Sequence, residues 1–171
     1  MNSLLNLITA FLTEIGISFT FGSLPGQTFL PGLELRNGAL VIDREKLRHP
    51  GDVLHEAGHL ACMPAEIRVN MTGDLPNIDL HNGGEMMALA WSYAACVHLN
   101  IDPKVVFHEH GYKGGGAHLA DVFKTGNGPG IPLLQWCGMT YEARTASKMS
   151  ALPYPAMRCW TCQKNMYTTL N

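Results

Sequence analysis

The sequence predicts one α+β domain that covers residues 1–171, with a small sheet beside a set of helices. Three observations favour this class: apolar residues at helical spacing near the amino terminus, an Asn-Gly pair between two short apolar runs, and two strongly apolar helical segments. Of the 171 residues, 46% are hydrophobic and 15% are charged, which fits a chain that buries one core.

Composition and charge exclude several classes of function. The formal net charge is −2 and no block of Lys or Arg appears, so we predict no nucleic-acid partner. The apolar stretches are too short and too interrupted for a membrane span. The amino terminus lacks the positive charge of a secretory signal, and the five scattered cysteines do not resemble a disulfide framework. We therefore expect a cytoplasmic, reducing location.

The first predicted element is an amphipathic helix at the amino terminus. Gly16 is placed to end it, and residues 17–21 have the composition of a strand. The helix is predicted from apolar residues at helical spacing, namely Leu4, Leu5, Leu7, Ile8, Phe11, Leu12 and Ile15.

Residues 33–43 are predicted to form a β-hairpin. Two short apolar runs flank Asn37 and Gly38, and this pair suits the two positive φ values of a type I′ turn. An edge of the hairpin, at residues 33–36 or 39–43, could pair with an extended peptide by strand addition. A purely structural hairpin is the alternative.

A helix over residues 53–62 is predicted after the chain break at residues 50–52. Asp52 is expected to be its N-cap, and Pro64 must end it, because proline restricts the preceding residue and has no N–H. Residues 64–83 are rich in Gly, Pro and Asn, and are predicted to be a loop.

Two further helices are predicted, over residues 84–99 and 117–125. Small side chains in the first would permit close packing against another helix, and Gly126 is placed to close the second. No elements are assigned from residue 131 onward. The small residues of the helix predicted over residues 84–99 are Ala88, Ala94 and Ala95.

The string that carries chemistry is His55-Glu56-Ala57-Gly58-His59. Histidines four positions apart lie on the same face of a helix, so both imidazoles can reach one ion. The Glu56 side chain lies about 100° further round, where it can hold a metal-bound water without ligating the metal. Zn²⁺ suits imidazole ligands, and Glu56 could take a proton from that water and pass it to a leaving amine. Chance placement would give this pattern in only about 2% of such chains, so a core helix with incidental histidines is the weaker interpretation.

This segment resembles the zincin metallopeptidases, whose HExxH helix it matches in full. Cys62 and Ala65 stand where the metzincin extension has Gly and His, so the gluzincin-like layout is the better comparison. The small ImmA/IrrE-like metallopeptidases are similar over about residues 33–99, with a short hairpin, the HExxH helix and a second helix that bears a Glu. The resemblance implies a minimal zincin-like fold with Zn²⁺ held by His55, His59 and Glu85. It also implies a peptide substrate that lies along the hairpin edge.

Glu85 has a second explanation. A carboxylate in the first turn of a helix is favoured by the helix dipole, although the apolar residues around Glu85 leave its charge in need of a partner. Asp79 and His81 are the alternative third ligands, and either could instead orient an imidazole.

The segment 107–116 combines histidines, aromatic residues and three successive glycines. Such a segment could form a mobile lid, in which His110 or Tyr112 would donate a hydrogen bond to the oxyanion of a tetrahedral intermediate. A solvated surface loop is the alternative. A second metal site at His108 and His110 is only weakly indicated, and His49, His98 and His118 are given no role.

Two smaller features are left open. Gly58 could admit another backbone close to the metal, or it could allow tight helix packing. Cys159 and Cys162 form a lone CxxC, which favours a packing role or an incidental pair over a zinc ribbon or a redox site.

The favoured function is zinc-dependent hydrolysis of peptide bonds in a peptide or protein substrate, with Glu56 as general base and then general acid. The first alternative is a zinc-stabilised sensor or protein-interaction domain that cleaves nothing, although such a domain has no need of Glu56. The second is a thiol redox protein that uses Cys159 and Cys162.

Overall fold

A computed structural model describes residues 2–73, 79–109 and 115–164, with backbone only at residues 2 and 79–82. These residues form seven α-helices and a three-stranded sheet, so the predicted α+β class is confirmed. A 3₁₀-helix covers Pro103–Val105. In chain order the elements are α1 (Asn2–Glu14), β1 (Phe19–Phe21), β2 (Leu33–Arg36), β3 (Ala39–Ile42), α2 (Pro50–Cys62), α3 (Ala65–Arg68), α4 (Asp79–His98), α5 (Gly116–Lys124), α6 (Ile131–Trp136) and α7 (Ala143–Met149).

The amino-terminal helix and the hairpin follow the sequence prediction. Gly16, with φ of 76°, lies two residues beyond the end of α1. Asn37 and Gly38 both have positive φ, of 48° and 73°, between β2 and β3. Because both turn residues need the left-handed region, the Asn-Gly pair is the local cause of the hairpin.

The sheet has the order β1-β3-β2, with β3 in the centre. β1 pairs with β3 in parallel, with Phe19 opposite Leu40, while β2 pairs with β3 in antiparallel. The edge at residues 39–43 is therefore not available for strand addition, because β1 occupies it along residues 40–42. β2 lies at the end of the sheet, where the Leu35 carbonyl accepts a hydrogen bond from the Gly73 amide at 2.9 Å.

Helix α2 begins earlier than predicted, and Asp52 is not its N-cap. His49 occupies the cap position in an extended conformation, and Pro50 is the first helical residue. Proline suits this position because its fixed φ is helical and its missing N–H would have no partner there. The predicted end is confirmed, since Met63 has extended backbone and Pro64 follows it.

The prediction of a loop over residues 64–83 is wrong in part. Residues 65–68 form α3, and α4 begins at Asp79 rather than at residue 84. Gly83 and Gly84 lie inside α4, where neighbours from other segments pack beside them. An added Cβ would lie 3.8 Å from Leu133 at Gly83 and 3.4 Å from Met63 at Gly84. Tertiary packing thus offsets the low helix propensity of both glycines.

The carboxyl-terminal part is also helical. α5 lies within one residue of its predicted bounds, and Gly126 follows it with φ of 77°. α6 and α7 were not predicted. Within the part of the chain that the structure describes, no helix combines the length and the apolar character needed to cross a bilayer.

α2 and α4 pack closely at the centre of the core. An added Cβ at Gly58 would lie 3.0 Å from the Ala88 carbonyl oxygen and 3.2 Å from the ring of Trp91, which is fully buried. The Ser92 hydroxyl donates to the Ala88 carbonyl at 2.7 Å and lies 3.5 Å from the Leu54 carbonyl of α2. Of the two interpretations of Gly58, the structure supports tight helix packing.

A glycine near the start of α2 provides a test of how this helix packs against the end of the 3₁₀-helix, where the two backbones also come into close contact. An alanine at Gly51 would place its Cβ 2.0 Å from the Val105 carbonyl oxygen, which belongs to backbone and cannot rotate away. We expect Gly51→Ala to lower the free energy of unfolding by about 2–3 kcal/mol, measured by denaturant titration. The control is Gly22→Ala, whose added methyl group would lie at an ordinary 3.9 Å from Val41. Equal stability of the two variants would contradict the packing described.

Candidate metal centre

Two histidines of α2 present their Nε2 atoms to the same point. His55 and His59 are one helical turn apart, their rings meet edge to face with centroids 4.7 Å apart, and the two Nε2 atoms are separated by 3.2 Å. Their side chains are 13% and 22% exposed. The helical spacing predicted from the sequence is therefore present, with both imidazoles at the rim of the core.

The third group of the cluster, Glu85, comes from α4. Glu85, Ala88 and Ser92 follow each other at helical spacing, and the last two of these contact α2 through the packing at Gly58 and Leu54. Glu85 is thereby carried to the histidines. Its carboxylate oxygens lie 3.5 Å from His55 Nε2 and 3.1 Å from His59 Nε2.

The distances within the cluster are close to those between the ligands of a tetrahedral metal ion. Zn–N and Zn–O bonds of about 2.0–2.2 Å at tetrahedral angles put neighbouring ligand atoms about 3.3–3.6 Å apart. The observed separations are 3.2 Å between the two Nε2 atoms, 3.5 Å from His55 Nε2 to one oxygen of Glu85 and 3.1 Å from His59 Nε2 to its other oxygen. One ligand atom from each of the three residues lies within 4.8 Å of the other two. Of the His, Cys, Asp and Glu side chains that the structure describes, His55, His59 and Glu85 are the group of three whose ligand atoms converge enough to hold a metal.

The electrostatics of the cluster favour a bound cation. Burial raises the pKa of the Glu85 carboxyl, but the hydrogen bonds and charges of His55 and His59 outweigh this effect and hold it well below its usual range. Burial also lowers the pKa of His59, and the carboxylates of Glu85 and Glu56 more than compensate, so the net shift is upward. The carboxylate is thus anionic and favours positive charge on the His59 imidazole.

Glu56 lies beside the cluster without belonging to it. It is half-buried, and its charge is close enough to His59 to raise the pKa of that imidazole. Its place in the sequence next to His55 puts it on a different part of the helix surface from the two histidines. Glu56 is therefore positioned near the cluster while His55, His59 and Glu85 supply the converging atoms.

Several predicted candidates cannot be placed. His110 and Tyr112, the candidates for oxyanion stabilisation, lie outside the described residues. The side chains of Asp79 and His81, the alternatives to Glu85, also lie outside them, although the backbone of both belongs to the first turn of α4.

His108 has partners away from the cluster. Its Nε2 lies 3.0 Å from a carboxylate oxygen of Asp52, and its ring stacks on that of His49 at a centroid distance of 4.0 Å. These contacts join the segment after the 3₁₀-helix to the start of α2. His98, which was given no role, packs against the rings of Phe11 and Trp160.

Three cysteines that are distant in the sequence lie together in the structure, and the sequence did not predict this group. Cys62 and Cys137 line one cavity together with Cys162, whereas Cys159 is half-buried with its sulfur 3.8 Å from the Gly138 carbonyl oxygen. The CxxC spacing drew attention to the pair 159 and 162, but the residues that meet in space are far apart in the chain. No local pattern could have indicated this grouping.

A comparison of the chain with protein-family models, curated proteins and solved structures finds no match.

Removal of a converging group should weaken metal binding. We expect the chain to bind one Zn²⁺. Glu85→Ala should reduce the affinity for Zn²⁺ by more than about tenfold, because changing even a residue that only supports a metal ligand lowers metal affinity by about that factor. Competition titration with a chromophoric chelator measures this affinity. Glu66→Ala, which changes an exposed glutamate of α3, is the matched control and should bind like the unchanged chain. Equal affinity of the two variants would exclude Glu85 as a ligand.

Metal binding should also depend on pH in a defined direction. The pKa of His59 is raised, and a metal ligand must be the neutral imidazole, so protons compete with the metal up to a higher pH than for an ordinary histidine. Below this pKa we expect the affinity to fall about tenfold per pH unit for each proton released. Glu56→Gln removes one carboxylate that raises the pKa, so its affinity should begin to fall at a lower pH. An unchanged profile would show that Glu56 does not act on His59.

Proposed function

We propose that this protein is a zinc-dependent hydrolase that cleaves peptide bonds. The observation that carries the proposal is the convergence of His55 Nε2, His59 Nε2 and the Glu85 carboxylate within reach of one metal ion, with Glu56 next to them on α2. The His-Glu-x-x-His order and the Glu from a following helix resemble the gluzincin-like metallopeptidases, and this resemblance supports a peptide as the substrate.

In this proposal each residue has a separate task. His55, His59 and Glu85 hold Zn²⁺, which when bound lowers the pKa of a coordinated water and polarises the scissile carbonyl. Glu56 accepts a proton from the attacking water and later delivers it to the leaving amine. The Glu85 side chain is 45% exposed, so solvent and substrate can approach the centre from that side.

The substrate is proposed to be an extended peptide or protein segment. β2, at the end of the sheet, remains the candidate edge for it, although its Leu35 carbonyl already accepts the Gly73 amide. His110 and Tyr112 remain candidates for stabilising the oxyanion of the tetrahedral intermediate.

A non-catalytic zinc-stabilised sensor or interaction domain is the second candidate. The observation that favours it is that the cluster joins two helices, since His55 and His59 belong to α2 and Glu85 to α4. A metal in that place would stabilise the fold without any reaction.

Substitution of Glu56 separates the two candidates. We expect Glu56→Gln to leave one Zn²⁺ bound and to reduce the cleavage rate by about 10²–10⁴-fold, because an amide cannot accept the proton of the attacking water. The measurement is cleavage of a quenched-fluorescence peptide library by the zinc-loaded chain, with metal content measured on the same samples. Glu66→Gln is the control and should retain the full rate.

Two outcomes would contradict the hydrolase. If zinc-loaded unchanged chain cleaves no member of the library, or if Glu56→Gln cleaves as fast as the unchanged chain, the proposed reaction is rejected. Zinc that raises the unfolding temperature without any cleavage would support the sensor or interaction domain instead.

A further inference from the structure

A second chemically distinctive place is a cavity of about 280 Å³ between α2, α4 and the carboxyl-terminal part of the chain. Three cysteines contribute to its wall, and each comes from a different segment. Cys62 is the last residue of α2, Cys137 directly follows α6, and Cys162 lies in the carboxyl-terminal segment. Apolar side chains, among them Met87, make most of the remaining surface.

Two of the thiols are neighbours. Cys137 and Cys162 line the same cavity, and their thiols are close enough to shift each other's pKa in opposite directions. The backbone holds both residues in place, because the Cys162 amide donates to the Ala61 carbonyl at 2.8 Å and the Cys137 amide donates to the Leu133 carbonyl at 2.9 Å. The two thiols thus belong to anchored segments that are distant in the sequence.

Two positively charged side chains lie near the same pair of cysteines. Lys164 lines the cavity, and Arg68 is fixed near its rim by hydrogen bonds from its guanidinium to the Leu60 and Met63 carbonyls. Interaction with the Cys137 thiol lowers the pKa of Cys162 despite its burial, with support from the amide of Lys164 and from both cations. The same interaction, together with burial, raises the pKa of Cys137. Of the two sulfurs, Cys162 is therefore the one that favours the thiolate and Cys137 the one that favours the thiol.

Other roles for these sulfurs fit the geometry less well. Among the described residues, the cysteines do not form a group of three with ligand atoms close enough for one metal ion. The CxxC partner, Cys159, has its sulfur 3.8 Å from the Gly138 carbonyl oxygen, whereas Cys162 has the Cys137 thiol as its neighbour. All five cysteines are free thiols in this structure.

We propose that Cys137 and Cys162 are a peroxide-sensitive dithiol, whose oxidation forms a disulfide between the end of α6 and the carboxyl-terminal segment. A thiolate next to a second, resolving cysteine is the arrangement that peroxide-sensing proteins use. Cys137 and Cys162 are 6% and 4% exposed, and the cavity, which is partly open to solvent, gives a molecule as small as hydrogen peroxide access to them.

The reaction has two balanced steps. The Cys162 thiolate attacks one oxygen of hydrogen peroxide, the O–O bond breaks, and the products are a sulfenic acid on Cys162 and hydroxide, which takes up a proton to become water. The Cys137 sulfur then attacks the sulfenic sulfur, the S–O bond breaks, and the departing hydroxide leaves with the Cys137 proton as a second water. Two thiols lose two electrons and two protons, and one peroxide is reduced to two waters.

The test uses the full chain and hydrogen peroxide at up to equimolar amounts. We expect the intact mass to fall by two hydrogens. Tryptic digestion without reductant should then join peptide 125–144, which contains Cys137, to peptide 159–164, which contains Cys162. Fragmentation of the joined peptides identifies which of the two sulfurs in peptide 159–164 is bonded, and this measurement needs no variant.

Variants provide an independent readout. Cys137→Ser and Cys162→Ser should abolish the joined peptide, while Cys159→Ser and Cys96→Ser should retain it. Cys96 is the matched control, since it is fully buried in α4 and does not line the cavity. Before oxidation, iodoacetamide at pH 7 should label Cys162 about tenfold faster than Cys62, because only the thiolate reacts.

Specific results would overturn the proposal. These are a disulfide within peptide 159–164, a joined peptide that survives Cys162→Ser but not Cys159→Ser, and no loss of two hydrogens at equimolar peroxide. The readout is thiol chemistry alone, so failure of zinc binding or of peptide cleavage would not decide it.

Discussion

The close contact between α2 and α4 is the constraint on which the rest of the structure depends. Gly58 has no side chain, and an added Cβ would approach the Ala88 carbonyl to 3.0 Å, so the two helix backbones lie nearly in contact. The buried Ser92 hydroxyl of α4 also lies 3.5 Å from the Leu54 carbonyl oxygen of α2. Since Glu85 lies one turn before Ala88, the same packing brings its carboxylate to the imidazoles. A larger residue at position 58 would separate the partners of the cluster as well as the helices.

This arrangement places a carboxylate between two imidazoles at the rim of the core. Removing an ionised carboxylate from water is costly unless positive charge compensates it. With two neutral imidazoles no such charge is present, and protonation of His59, whose pKa is raised, supplies one positive charge. A divalent cation would supply two charges and could be bound by all three groups at once. The geometry is therefore suited to a metal ion.

Local rules predicted the features that depend on neighbouring residues. The Asn37-Gly38 turn and the end of α2 at Pro64 both follow from backbone restrictions of single residues, and the structure contains both. Features set by distant contacts were missed. α4 continues through Gly83 and Gly84, which pack against Leu133 and Met63. The grouping of the cysteines depends on how α6 and the carboxyl-terminal segment fold back, and sequence spacing carries no information on that.

The metal centre and the thiol cavity are adjacent because they share two elements. Cys62 lies on α2 one turn after His59, and Gly84, which lines the cavity, directly precedes Glu85 on α4. The ligand preferences of the two places differ, since imidazole and carboxylate suit Zn²⁺ as a catalyst while thiolates attract softer ions and oxidants. The described cysteines do not bring three sulfurs close enough for one metal ion, whereas His55, His59 and Glu85 do bring three ligand atoms together. The two places therefore offer different chemistry within one pair of helices.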